Sequence, residues 1–236
     1  MVSDQFDSDK FATFSDGQAH PDCIVLLMLG GMISPVFSVD CKVTEITSAS
    51  PEVTRSEGNA IYRIGNMSFC DYLGSLGFSE HITQIRDFPL CVIIQNKPDR
   101  RDSLPEITHL TLTDPLSGSG YFGTEIPVGC KIRFGHVTRK DLVVSARHCM
   151  LDATERMRKQ TETGYVFSMG VCIPCMGRHY ALQGGENTDG EIVTSHLPPA
   201  LPLFGYYGFN EICPSRDGHG IRFNRTHNDS IAFCAF

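Results

Sequence analysis

Thr138 to Cys175 reads TRKDLVVSARHCMLDATERMRKQTETGYVFSMGVCIPC, and two periodicities follow one another inside it. Leu142, Val143, Ala146, Cys149, Met150, Ala153 and Met157 recur at intervals of three and four, while Arg139, Arg147, Glu155, Arg156 and Lys159 take the other side. That spacing predicts an amphipathic helix over 138–160 with one face turned to a core. Thr138 stands three residues ahead of Asp141, as at the start of a capping box, and Gly164 supplies the stop. Tyr165 to Val171 is apolar over the length of a strand and delivers the chain to Cys172-Ile173-Pro174-Cys175. A long helix feeding a buried strand sets the class as α+β.

Outward from this stretch the chain reads mostly as sheet. Cys23 to Leu29 is an unbroken apolar run and Val36 to Ile46 alternates, so both are expected as interior strands. Asn59 to Ile64 is a third strand, Gly65-Asn66 a turn, and Asn66 the expected cap of a short helix over 67–76 carrying Phe69, Tyr72, Leu73 and Leu76. Leu90 to Ile94, Ile107 to Leu112, Tyr121 to Thr124 and Cys130 to Phe134 read as further strands, with Lys97 to Glu106 a loop or linker. Ser117-Gly118-Ser119-Gly120 reads as a hairpin loop, because it opens no helix whose amides could cradle a phosphate. Beyond the long helix, Gln183 to Asp189 reads as a polar loop, and Leu201 to Tyr207, Gly220 to Phe223 and Ser230 to Phe236 as closing strands. The expected fold is α+β: a mixed or antiparallel β-sheet with one long and one short flanking helix.

The 236 residues are 41% hydrophobic, enough to bury a core. Twenty Lys and Arg against 27 Asp and Glu give a formal charge of -7, which leaves no basic footprint for nucleic acid or an anionic membrane. The ten cysteines invite a disulfide reading. The front of the chain argues against it, since Asp4, Asp7, Asp9 and Asp16 stand where an export signal would be basic and then apolar. The uncharged run Cys23 to Val39 contains Gly30-Gly31 and Pro35 and is shorter than the ~20 residues of a spanning helix. The thiols are therefore read as reduced, mostly as small buried hydrophobes, in an intracellular, cytoplasmic protein.

Familiar catalytic signatures are absent: no Gly-x-Ser-x-Gly elbow, no phosphate loop, no dinucleotide fingerprint and no His-Glu-x-x-His helix. Cys172 and Cys175, with Pro174 between them, allow a dithiol redox site. With His179 they allow three of the four ligands of a structural zinc, His148 or Cys149 being the only nominees for the fourth. Two buried thiols at a strand end is the plainer reading, and the spacing favours it. Pro202 to Pro214, PLFGYYGFNEICP, places glycines beside aromatics and an acidic residue where a strand ends. A carboxylate held there could take a ligand amine or cap backbone amides, or Glu211 could simply accept hydrogen bonds from a neighbouring loop.

These residues resemble the signature of FIST domains. The C-terminal half of that family carries a Gly step, then Glu-Ile-x-Pro, then a His-Asn segment leading into the last strand. Here these stand as Leu203-Phe204-Gly205, Asn210-Glu211-Ile212-Cys213-Pro214 and Phe223 to Ser230. Cys175-Met176-Gly177-Arg178 is similar to the family's Cys-x-Gly-Arg step, and Cys41 to Thr44 with Val53 to Ile61 looks like the strand pair joining two FIST halves. Asn210 and Cys213 replace two of the family's glycines. The resemblance implies a FIST C-terminal module over 36–236, with 1–35 as a lead-in holding the last part of an N-terminal half. It implies a non-enzymatic small-ligand-sensing module of signal transduction, with amino acids as the ligand class and Cys175, Arg178, Asn210 and Glu211 as ligand contacts. It implies no cofactor and no metal. The implied partners are a small molecule and a protein, or the FIST N-terminal half. The alternative it carries is the substrate-recognition part of an F-box type ubiquitin-ligase adaptor, lacking the F-box and placed in cytoplasm or nucleus. Thiol redox chemistry at Cys172 and Cys175 is the third class.

Overall fold

The structure is a computed structural model, and it describes residues 13–21, 24–78, 90–95, 105–182, 186–209, 211–216 and 222–236. In chain order they form β1 (Thr13–Ser15), β2 (Gln18–His20), β3 (Val36–Asp40), β4 (Thr44–Glu45), β5 (Val53–Glu57), β6 (Ala60–Ile64), β7 (Met67–Ser68) and α1 (Phe69–Ser75). There follow β8 (Leu90–Gln95), β9 (Glu106–Asp114), β10 (Ser119–Phe122), β11 (Lys131–His136), α2 (Arg139–Glu162), β12 (Gly170–Pro174), α3 (Met176–Leu182) and α4 (Asp189–His196). Last come β13 (Leu203–Gly205), β14 (Glu211–Arg216), β15 (Arg222–His227) and β16 (Ile231–Ala235).

The larger sheet is antiparallel, in the order β4-β11-β8-β9-β10-β6-β5 with β7 on β6. It curls until its two sides meet, since Val53 N donates to Cys130 O at 2.9 Å and Ile132 N to Pro51 O at 3.0 Å. Inside the curl sits a core of Val53, Ile61, Leu73, Ile94, Leu110, Phe122 and Phe134, into which α1 drops Phe69. The Phe69 ring stands edge-on to Phe122 at 5.5 Å. Gly120 makes room for that ring: a Cβ there would lie 2.3 Å from Phe69 Cε1. Gly120→Ala should therefore cost about 1–3 kcal/mol by overpacking. An unchanged urea midpoint for this variant would show that Phe69 can move aside.

The smaller sheet is mixed, in the order β13-β12-β16-β3, with β13 parallel to β12 and the other pairs antiparallel. One face packs against α2 and α4, burying Ala146, Cys149, Met150 and Ala153 with Cys172, Ile192, Ile231 and Phe233. These are the helix positions that the three-four spacing selects. The Thr138 capping box is present in full, with Thr138 N donating to Asp141 Oδ2 at 3.1 Å and Asp141 N to Thr138 Oγ1 at 3.1 Å. The β14–β15 hairpin leans on β3 and β9 and so spans from one sheet to the other. Arg225 Nη2 donates to Pro105 O at 2.8 Å and Asn228 Nδ2 to Ile107 O at 3.1 Å along that seam.

The α+β class with mixed and antiparallel sheets matches the expectation, with several corrections. Two more helices, α3 and α4, accompany the long and short ones; each spans about two turns and carries a glycine, too little for a periodicity to show. Ser68, not Asn66, caps α1, because Met67 and Ser68 first pair back onto β6 as β7. The strand after the long helix starts at Gly170, since the backbone from Tyr165 is not yet paired to β13 or β16. Ile24 to Leu29 is no interior strand: Ile24, Leu26, Leu27 and Met28 are 80–89% exposed. Among the described residues β3 is a sheet edge, and no strand reaches this run. Most of the expected linker, Lys97 to Glu106, lies outside the described residues. Among the described residues no helix is long and apolar enough to cross a membrane.

Candidate functional site

Strand β12 ends at Pro174, and the next residues cross two other segments. Cys175 N donates to Ser230 O at 2.9 Å, Met176 N to Gly208 O at 2.7 Å, and Gly208 N to Pro174 O at 2.9 Å. Backbone alone therefore brings together three stretches: 174–178, the approach to β14, and the turn between β15 and β16.

Arg178 is fully buried at this crossing, and every donor of its guanidinium is used. Nε and Nη2 fork onto the Asp189 carboxylate at 3.1 and 2.6 Å, Nη1 reaches Ser145 Oγ and Asp229 O at 3.0 Å each, and Nη2 also reaches Leu142 O at 2.8 Å. Burial works against its charge, but the hydrogen bonds to Asp189 and that carboxylate's charge more than offset it and hold its pKa above the ordinary value. A guanidinium offers five N–H groups, so none is left for a ligand. Through these bonds Arg178 ties α3 to α2, α4 and the β15–β16 turn.

The turn passes this order on. Asp229 takes a left-handed backbone, φ 53°, and its carboxylate pairs with Nε2 of buried His109 from β9. Ser230 Oγ donates to Glu211 Oε2 at 3.0 Å. The other carboxyl oxygen, Oε1, is buried with no hydrogen-bond partner among the described residues. Glu211 is 5% exposed, and burial, more than any neighbouring charge, pushes its pKa up to about 8. A Cβ on Gly208 would lie 3.1 Å from Oε1 and 3.2 Å from Ile173 Cγ2, so glycine allows the chain to pass this close.

Glu211, Gly208 and Ile173 border a cavity of about 540 Å³. Its floor follows from strand alternation: Cys172 turns toward α2, so Val171 and Ile173 face the other side, beside Ala232 and Cys234 of β16 and Phe37 of β3. Tyr206 and Phe209 add aromatic walls. A second cavity, about 580 Å³ between β3, α2 and β15, is of mixed character and carries Asp40, Glu106, Asp152, Arg156 and Arg225. Its charges largely satisfy one another, with Arg156 on Asp152 at 2.8 Å and on Phe37 O at 2.7 Å.

Of the four expected contacts, Glu211 borders the apolar cavity, and Cys175 and Arg178 stand behind it. Asn210 lies outside the described residues. The Cys175 thiol is pushed up to about 12, first by burial and then by the carboxylates of Glu211 and Asp229. Cys172 is raised too, chiefly by burial. A redox dithiol needs a stabilised thiolate, so the surroundings of this pair oppose that chemistry. His179 lies with its ring 4.8 Å from that of Tyr207. Among the described residues no three His, Cys, Asp or Glu side chains are grouped to hold a metal ion.

Sequence reasoning gave no role to His109, Ser145, Asp189, Asp229 or Ser230, and read Asp189 as the end of a polar loop. Asp189 had a legible signal, because Thr188-x-x-Glu191 before Ile192-Val193 is a capping box and places Asp189 at a helix start. His109 carried none, being one polar residue in an alternating strand.

No curated protein matches the chain. A family model does, that of the FIST C domain, over residues 69–214, from the first residue of α1 to just past Glu211. It covers more than half of the chain and takes in Cys175, Arg178, Gly208 and Glu211, and on that match the protein belongs to the FIST C domain family.

Proposed function

We propose that this chain is a non-enzymatic small-ligand-sensing module of signal transduction, whose ligand sits in the apolar cavity beside Glu211. FIST C domains are in general sensory modules, which supports the class of function. The observation that carries the site is the buried Glu211 carboxyl, one oxygen of which has no partner among the described residues, at the border of a cavity of ligand size. Arg178 acts there as a positioning residue through Asp229 and Ser230, and Cys175 as packing behind the carboxyl. Asn210, adjacent in sequence to Glu211, is assigned to the same site. Residues 36–236 form the working module and 1–35 its lead-in. The nine described cysteines are all free, which supports a reducing, cytoplasmic location.

The exposed apolar run Ile24 to Leu29 supports a protein partner, or an N-terminal FIST half, that covers it. It also keeps the adaptor as the second reading, and co-purification of ubiquitin-ligase scaffold subunits from the native cell would favour that reading. The primary test is a thermal-shift screen of small metabolites on the wild type and on Glu211→Ala. A ligand-dependent rise of several degrees, absent from the variant, is expected, since saturating ligand adds roughly 3 kcal/mol at a hundredfold excess over Kd. No shift across the panel in folded wild type would count against sensing.

A further inference from the structure

Resting on that reading, we propose that the ligand is an apolar amine without a carboxylate, held as its ammonium ion against Glu211. The cavity's chemistry is one-sided. Its floor and walls are aliphatic and aromatic, and among its described lining residues Glu211 is the one Asp, Glu, Lys, Arg or His. Among the described residues Oε1 has no hydrogen-bond partner, so an ammonium supplies the missing donor.

An amino acid meets the same site less well. Its amine would be received like any other, but its carboxylate would enter surroundings that are apolar, with no cation among the described lining residues to meet it. The guanidinium close behind the site belongs to Arg178, whose donors are spent on Asp189, Ser145, Leu142 and Asp229. A buried carboxylate without a partner is costly, and once the amine has ionised Glu211 the ligand's own carboxylate would lie close to that charge as well. The amino-acid class implied by the family resemblance is therefore not the class this cavity fits.

Binding should also move a proton. The groups around the Glu211 carboxyl are Ser230 and Asp229 on the β15–β16 turn, Cys175 and Arg178 after β12, and His227 opposite it on β15. The His227 ring lies against Cys213 O through Nε2, at 3.2 Å. With its pKa near 8, the empty site holds Glu211 mostly protonated at pH 7. An ammonium ligand favours the carboxylate, so the carboxyl proton leaves to solvent as the ion pair forms.

The test is titration calorimetry at pH 7 on the full chain, in two buffers of different ionisation enthalpy. The probes are matched pairs: 2-phenylethylamine with phenylalanine, isoamylamine with leucine, and tyramine with tyrosine. Within at least one pair the amine should bind roughly tenfold or more tightly than its amino acid, and release protons. Glu211→Gln should weaken that amine by a similar factor; should the variant fail to fold, proton release in the wild type carries the decision. An amino acid binding as tightly as its amine, or a screening hit bearing a carboxylate where no amine binds, overturns this inference and leaves sensing intact. No hit in the screen or among the pairs overturns the sensing reading itself.

Discussion

Arg178→Met should lose about 3–5 kcal/mol of stability, a large share of the roughly 5–15 kcal/mol that a domain ordinarily has. The loss does not come from one strong contact. Removing the guanidinium leaves Asp189 charged in a place where it is 1% exposed, and strips a donor from Ser145 Oγ, Leu142 O and Asp229 O together. Arg178→Lys should recover little, because an ammonium has three donors and cannot fork onto the carboxylate while reaching the two carbonyls. The double variant Arg178→Met with Asp189→Leu separates stranded charge from lost packing, and it should regain a substantial part of the loss. Urea unfolding measures all three. Were Arg178→Met within about 1 kcal/mol of wild type, the guanidinium would not be what joins these elements.

Glu211→Gln should change the slope of stability against pH. An unfolded glutamate titrates near 4.3, whereas in the fold burial raises Glu211 to about 8. Between those values the native state keeps a proton that the unfolded state has released, so stability falls as pH rises. The fall approaches about 1.4 kcal/mol per pH unit between roughly pH 5 and 8, and is complete above the folded value. Glutamine resembles the protonated acid and has nothing to titrate. The variant should therefore match wild type near pH 5 and exceed it by up to roughly 4 kcal/mol near pH 8 to 9. A gap that closes or reverses as pH rises would mean that Glu211 is already ionised in the fold. The same measurement bears on the site, since a carboxyl that is costly to ionise when empty is one that an ammonium can stabilise.

Much of the architecture was legible because it rests on repetition along the chain. The α2 face, its Thr138 cap and most strands come from spacings that persist over many residues. Glu211 was legible as well, standing where an apolar stretch with glycines and aromatics ends. The rest was not, for physical reasons. Whether Arg178 touches a ligand depends on Asp189, Ser145 and the carbonyls of Leu142 and Asp229, and that meeting is made by tertiary crossing. The Ile24 to Leu29 run shows the reverse failure: its composition suits a buried strand, but burial also needs a neighbour, and a sequence pattern carries no information about one.

The place of β16 has a consequence for how the molecule is made. It comes last among the described strands, yet it lies between β12 and β3, pairing Ile231 to Ala235 with residues 36–40 on one side and 170–174 on the other. The smaller sheet cannot close during synthesis until the ribosome has released this strand, and the closing contacts join residues 36–40 to residues 231–235. Such long-range pairing belongs with slow folding, on the order of milliseconds to seconds. Until that moment the floor of the cavity lacks Ala232 and Cys234, and Glu211 lacks Ser230. The cavity beside Glu211 is therefore among the last of the described parts to form, and a nascent chain carries its sheet edges open for as long as translation of this stretch takes.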